Sequence, residues 1–470
     1  MKKTKIVATI GPRTESVEML GKMLNAGMNV MRLNFSHGDF AEHQNRVDNL
    51  REVLKKTGKT AAILQDLGGP KIRIGNFKTE SVNLKIGQTF TLTTEDILGD
   101  ETIVSVNYPL LPKEVAKGHI IFMHDGKKKL EVKEVKGKNV ICKVLVGGEI
   151  KGRRGLNMPD SDLSVKSLTP KDLKDLEFGI KNDVDFIALS FVRRPSDITE
   201  LRAILNKRKS KAGIIAKIET PQAISNIDEI IALCDGIMIA RGDLAIEVPF
   251  EKVPGYQKMM IKKCNEMGKP VITATQMMES MIKSPVATRA EVSDVANAIL
   301  DGTDAVMLSE ESTLGDYPIE AVNVMRTIAR EIENDCPERE TVRVNKNGDA
   351  SITDSVTSSV VKTAHDIGAK VIVALTDSGF TARMISRHKP HAVVLSLSPF
   401  QKTSNKLNLS FGCLPVTVPT YKTIDDVLKI VREFCIKEKL AKKGDKVVIA
   451  GGVPFNTKGL STNMLISIVL

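Results

Sequence analysis

A chain of 470 residues is too long for one ordinary domain and predicts two or three. It is 42% hydrophobic and 27% charged, the balance of a soluble globular protein, and no run is apolar enough to cross a bilayer. A net charge of +11 suits anionic partners such as phosphates, whereas no Trp and 4% aromatics leave little to stack on bases, so a nucleic-acid partner is not expected.

The N-terminal stretch MKKTKIVATIGPR has an apolar run too short for a signal sequence, and it ends at Gly11-Pro12. A cytoplasmic protein is expected. From there β-branched runs alternate with amphipathic helical stretches. The runs are KIVATIGP, MNVMRLNFSHG, AAILQDLGGP, VDFIALSFVRR, GIIAKIET, GIMIARGDL, PVITATQMM and DAVMLSEES. Helical patterns such as VEMLGKMLNAG and QKMMIKKCNEMG lie between them and close on glycine. Alternation of this kind implies parallel pairing, and eight units predict a (β/α)8 barrel.

The connection after the third run is about a hundred residues, far beyond an ordinary βα loop. It carries period-two alternation and Gly-rich turns in VNLKIGQTFTLTT, GHIIFMHDGKKKLEVKEV and NVICKVLVGG. An inserted antiparallel β lid is expected, with the charge run GKKKLEVKEVKGK as its solvated face. After about Arg343 the pattern becomes a helix, ASITDSVTSSVVKTAHDIG, followed by AKVIVALTDSG, HAVVLSLSP, LPVTVP, DKVVIAGGVP and MLISIVL. This reads as an open, mostly parallel α/β domain. The fold class is therefore α/β: a barrel over 1–67 and 168–342, a lid over 68–167 and a C-terminal domain over 343–470. Six scattered cysteines with no C-x-x-C pair read as reduced core thiols.

Polar residues fall at the C-terminal ends of the barrel runs: Arg32, Asn34 and Ser36, then Asp66, Ser190, Lys217 and Glu219, Arg241 and Asp243, Thr275 and Gln276, Ser309 and Glu311. Barrel active sites sit at this face. Lys217 and Glu219 are two apart on one strand and share a face. An isolated surface ion pair is the bland alternative, but the gathering of charge on strands otherwise so apolar favours a site. Glu219 and Asp243 can hold a hard divalent cation, Lys217 can face a developing oxyanion, and Arg32 and Arg73 can grip a phosphoryl group. No Cys or Ser nucleophile is paired with a base. The set suits phosphoryl transfer or enolate chemistry. In the C-terminal domain, TDSGFTAR places Thr376, Ser378, Gly379 and Thr381 between a strand and a helix. This is either an anion-binding turn or an ordinary N-cap.

The motifs TKIVATIGPRT, GMNVMRLNFSHG, GPKIR, IIAKIE, IMIARGDLAIEVP, QKMMIKKCNEMGKPVITATQMMESMI, TRAEVSDVANAILDGTDAVMLS and GDYPIEAV resemble those of the pyruvate kinases, end to end. The resemblance implies transfer of the phosphoryl group of phosphoenolpyruvate to ADP through a Mg2+-stabilised enolate, Mn2+ being an alternative metal. It assigns catalysis to Lys217, Arg32 and Thr275, and phosphoenolpyruvate binding to Arg32, Gly242, Asp243 and Thr275. Mg2+ falls to Glu219 and Asp243. The ADP region takes Asn34, Ser36, His37, Arg73 and Arg154. It further implies a homotetramer regulated by an anionic effector, a sugar phosphate or AMP, at Thr376 to Thr381. Two rival readings are another Mg-enolate barrel enzyme, such as an aldolase acting on pyruvate, and a non-catalytic phosphometabolite sensor.

The chain departs from the family pattern in places. His124-Asp125-Gly126 stands for Asp-Asp-Gly in the lid, Arg154 for a lysine, and Ala245 and Glu310 for glycines. At the third strand it reads DLGGPKIRI where potassium-dependent members resemble DTKGPEIRT. Asn34, Ser36 and Asp66 remain as the remnant of a monovalent-cation site, while Lys71 brings a tethered ammonium in place of a glutamate. The expectation is that K+ is not required.

Overall fold

The computed structural model describes residues 1–335, 351–452 and 463–470. Eight strands close a parallel barrel: Lys5–Thr9, Val30–Asn34, Ala62–Asp66, Phe186–Leu189, Gly213–Ile218, Gly236–Ala240, Val271–Ala274 and Ala305–Leu308. They follow one another around the barrel in chain order, the first pairing with the eighth, as eight βα units demand. They are called the first to eighth barrel strands below.

Side chains alternate across the wall as a period of two requires. Ile214, Ala216 and Ile218 face outward into the layer shared with the helices. Val7, Val30, Leu64, Ala188 and Ile215 point inward and fill the barrel. The helices that cover it begin on chemical signals. Asp39, Thr169 and Thr288 each form a capping box, which satisfies the free N–H groups of the first turn.

The lid follows the third barrel strand. Its six-stranded sheet runs Leu156–Asn157, Ile120–Met123, Lys128–Lys136, Asn139–Val146, Thr89–Thr93, Ile103–Ser105, with Ser81–Leu84 and Gly148–Lys151 paired beside it. Phe90, Leu92, Val132 and Val144 are among its own core. One pair departs from the antiparallel expectation: Thr89–Thr93 and Ile103–Ser105 run parallel. Alternation reports which face a side chain takes and carries nothing about strand direction, so the sequence could not reveal this.

The C-terminal sheet has the order Cys413–Thr417, Val393–Ser398, Val371–Leu375, Lys446–Gly452, Asn463–Val469, parallel except for the last strand. Its connection before Cys413 docks on the N-terminal end of the barrel. Leu409 joins the inward-facing core, the Gly412 N–H donates to the Lys3 carbonyl (2.9 Å) and the Phe411 N–H to Asp304 (3.0 Å). The expected boundary at 342/343 and Cys336 lie outside the described residues. The other five cysteines are free and buried. Among the described residues no helix is long and apolar enough to cross a membrane.

Candidate active site

The inward columns of the barrel continue past its apolar core by one step of two residues. Two beyond Val7, Val30, Leu64, Ala188 and Ile215 stand Thr9, Arg32, Asp66, Ser190 and Lys217. These five side chains bond to one another across the mouth. Arg32 donates Nη1 to Thr9 Oγ1 (2.8 Å) and Nε to Asp66 Oδ2 (2.7 Å). Lys217 donates Nζ to Ser190 Oγ (2.7 Å) and lies 3.3 Å from Asp66 Oδ1. Ser190 in turn donates to the Leu67 carbonyl (2.7 Å).

Burial alone would pull the Lys217 ammonium toward neutrality, but Asp66 and Glu219 outweigh it and push its pKa above the ordinary lysine range. Burial would likewise raise Asp66, yet Lys217 and Arg32 together hold it below the usual carboxylate value. The lysine and aspartate therefore fix each other in the charged state in a place that water barely reaches.

Glu219 is fully buried, with Oε2 accepting from the Phe191 N–H (2.6 Å). Its Oε1 is 3.0 Å from Lys217 Nζ but is left without a hydrogen bond. Burial drives its pKa up against Lys217, and Asp243 adds to the rise. Asp243, half-buried, lies in the first turn of the short helix Arg241–Glu247, which follows the sixth strand. A buried carboxylate oxygen that meets only an ion-paired ammonium, next to a second carboxylate, is a fit for one divalent cation. Among the described residues no three His, Cys, Asp or Glu side chains gather to hold a metal, so water and substrate oxygens would complete the shell.

Thr275 directly follows the seventh strand with φ 75°, and Gln276 follows at 56°. Gly242 lies against it: a Cβ there would meet Thr275 Cγ2 at 2.6 Å, so only glycine allows the two strand ends to approach this closely. Ser36, Gly68, Lys71 and Arg73 line a cavity of about 450 Å³ between barrel and lid, with Lys171 and Asp172 opposite. Asn34 and His37 flank it in sequence. Asn34 Oδ1 accepts from the Ser36 N–H (3.1 Å). Partial burial and then Lys71, Arg73 and Arg32 lower the His37 pKa, against a pull from Glu310. Arg154 is not in that lining. Its Nε is buried without a partner, and its charge acts on His124 at the lid tip, where His124, Asp125 and Gly126 all have positive φ. Ala245 packs half-buried against the barrel core.

In the C-terminal domain, Thr376 Oγ1 accepts from the Gly379 N–H (2.9 Å) and Ser378 Oγ from the Phe380 N–H (3.4 Å). Gly379 is left-handed (φ 82°), and Thr381 sits half-buried in the helix Phe380–Ser386.

Two residues were not anticipated from sequence. Glu247, the last of its helix, accepts from Asn157 Nδ2 of the lid (2.7 Å), a contact joining barrel to lid. Arg193 is buried beside it with Nη1 unpartnered. Burial lifts the Glu247 pKa to about 7, with Asp243 and Glu219 adding to the rise against Asn157 and Arg193. Nothing in the EVPF stretch distinguishes Glu247 from a helix-end surface acid.

The folded chain thus holds the Glu247 proton more tightly than the unfolded chain. Its contribution to stability is lost as pH rises from the ordinary 4.5 to about 7 and stays lost above. In metal-free buffer Glu247→Gln should match the parent near pH 4.5 and exceed it by on the order of 2 kcal/mol at pH 8, read by urea unfolding. A difference that does not change with pH would contradict the assignment.

Comparison with known proteins fixes the family. Residues 1–322 match the model described as "Pyruvate kinase, barrel domain" and 354–467 that described as "Pyruvate kinase, alpha/beta domain". The chain is 46% identical to a pyruvate kinase of Staphylococcus saprophyticus subsp. saprophyticus, over 99% of this chain and 80% of that protein. It is 45% identical to one of Staphylococcus epidermidis, over 100% and 81%. The crystal structure of a pyruvate kinase from Cryptosporidium parvum superposes with a TM-score of 0.93 at 36% identity, covering 100% of this chain and 96% of that one. Neither an aldolase nor a non-catalytic sensor finds support in these matches. With all three domains in place and both family models matched, the chain belongs to the pyruvate kinase family.

Proposed function

We propose that the ring at the barrel mouth is the machinery that moves the phosphoryl group of phosphoenolpyruvate to ADP. The reaction itself follows from the family: this chain is a phosphotransferase of glycolysis. An oxygen of the ADP β-phosphate bonds to phosphorus, the bond from phosphorus to the enol oxygen breaks, and the enolate then takes a proton at carbon to give pyruvate. Arg32, held by Asp66 and Thr9, presents its remaining donors to the phosphate. Lys217 places a fixed ammonium where the enol oxygen gains charge. Thr275 and Gly242 bind the rest of phosphoenolpyruvate. Ser36 and Arg73 line the cavity that would take ADP, with Asn34 and His37 beside it; Arg154, outside that lining, is assigned to the nucleotide by the family resemblance alone. Glu219 and Asp243 would hold Mg2+, or Mn2+ in its place, which when bound supplies positive charge for carboxylate and phosphoryl oxygens. Glu219 Oε1, 3.0 Å from the Lys217 ammonium, keeps lone-pair capacity for that cation.

The observation that carries this reading is Lys217 held charged in a buried site by Asp66 and Glu219. Lys217→Met should lower kcat about 10³-fold in a lactate-dehydrogenase-coupled assay while leaving the fold intact. A loss under about tenfold, roughly 1.4 kcal/mol, would remove Lys217 from the chemistry.

K+ is not required in this reading. Asp66, one oxygen donor of the remnant cation site, already gives Oδ2 to Arg32 and Oδ1 to the Lys217 side of the ring. Lys71 lines the nucleotide cavity and its charge reaches His37. In tetramethylammonium buffer the parent should run at comparable rates with and without K+, and Lys71→Glu should acquire a K+ requirement. Strong K+ stimulation of the parent would refute it.

The C-terminal domain takes an anionic effector, a sugar phosphate or AMP, at Thr376 to Thr381. Strand order reverses between Val371–Leu375 and Lys446–Gly452, and this turn lies at the C-terminal mouth of that crevice, where open α/β sheets bind ligands. A cytoplasmic homotetramer completes the reading. Thr381→Glu should abolish activation by whichever of the two anions activates the parent. Undiminished activation would place the site elsewhere.

A further inference from the structure

Arg241 was expected to add its charge to the barrel mouth, but its guanidinium turns sideways between the ends of the sixth and seventh strands. Nε donates to the Ala274 carbonyl (3.1 Å) and Nη2 to the Thr275 carbonyl (2.7 Å). The other edge is gripped by Asp294, from the helix Arg289–Asp301, with Nη1 to Oδ1 and Nη2 to Oδ2 both at 2.6 Å. Nη2 also lies 2.8 Å from Met277 Sδ, and Nη1 reaches Gln257 Oε1 at 3.5 Å.

What it holds is a peptide in an unfavourable state. Thr275 has φ 75°, a region disfavoured for any L-residue and most of all for a β-branched one. Such a conformation persists only where the surroundings over-determine it. Gly242 stands against the Thr275 side chain, where any added Cβ would collide with Cγ2 at 2.6 Å. Arg241 ties down the carbonyls, and a planar fork can do so while keeping a bidentate carboxylate partner.

We propose that Arg241 and Asp294 act as a pair of positioning residues, which hold the Thr275 backbone left-handed and so aim its hydroxyl at phosphoenolpyruvate. The inference rests on the assignment of Thr275 to substrate binding. Neither Arg241 nor Asp294 touches substrate. Asp294 acts one shell further out, by orienting the guanidinium.

The test is a double-mutant cycle in the coupled assay on the full chain. Arg241→Met should lower kcat/KM for phosphoenolpyruvate about 100-fold, with KM for ADP within twofold of the parent. Placed on Thr275→Ala, it should cost less than about threefold more than Thr275→Ala alone, because the group it positions is already gone. Arg241→Lys, which keeps the charge but loses the fork, should not restore activity. If Arg241→Met fails to fold, Asp294→Asn gives the same cycle with a smaller first step. Losses that multiply in the double variant, or an equal rise in KM for ADP, overturn the inference while leaving Thr275 in the site. A Thr275→Ala enzyme with the parent's rate removes the Thr275 assignment, and the inference with it.

Discussion

The contact between Lys217 and Asp66 is the constraint on which the rest of the site depends. A lysine with its amine this deep in a protein ordinarily loses its proton, and a carboxylate in the same place ordinarily gains one. Here each prevents the other from doing so, and Arg32 on one side and Glu219 on the other spread the charge. The gain exceeds the desolvation cost only because the geometry is fixed by the closed barrel, whose third and fifth strands carry the pair with Ser190 of the fourth between them. That rigidity suits a reaction in which charge moves between oxygens and in which the protein contributes position and fixed charge.

The barrel supplies the rigidity, and the other domains shape access to it. The lid meets the mouth through Asn157 and Glu247, and its tip lies over the helix that carries Asp243, with Gly126 near Ile246. The C-terminal domain is tied to the opposite end of the barrel through Leu409, Phe411 and Gly412. An effector bound at Thr376 to Thr381, as proposed, would act on the mouth from the domain tied to the barrel's far end.

Much of this was legible in the sequence. The eight apolar runs carried the barrel, and residues two apart, such as Lys217 and Glu219, do share a face and lie 3.0 Å apart. The ring could have been found the same way, by stepping two residues beyond each inward core position. Doing so adds Thr9 and joins Asp66 to Lys217. Three things were hidden. Arg241 sits at a strand's C-terminal end much as Lys217 does, just past the sixth strand, but its direction is decided by the carbonyls of a left-handed peptide and by Asp294, neither visible in a linear pattern. Glu247 owes its character to burial under the lid. The parallel pair in the lid leaves no mark in alternation.

The pH dependence of Asp66→Asn tests the mutual charge most directly. In the parent, Lys217 stays protonated across the working range, so its loss of a proton puts no alkaline limb on the kcat/KM profile. Removing the Asp66 charge leaves burial and Arg32 opposed only by Glu219 and, more weakly, Asp243, and the Lys217 pKa should fall. The account predicts a new alkaline limb for Asp66→Asn at a pH where the parent's profile is flat. A profile parallel to the parent's at every pH, merely lower, would contradict it.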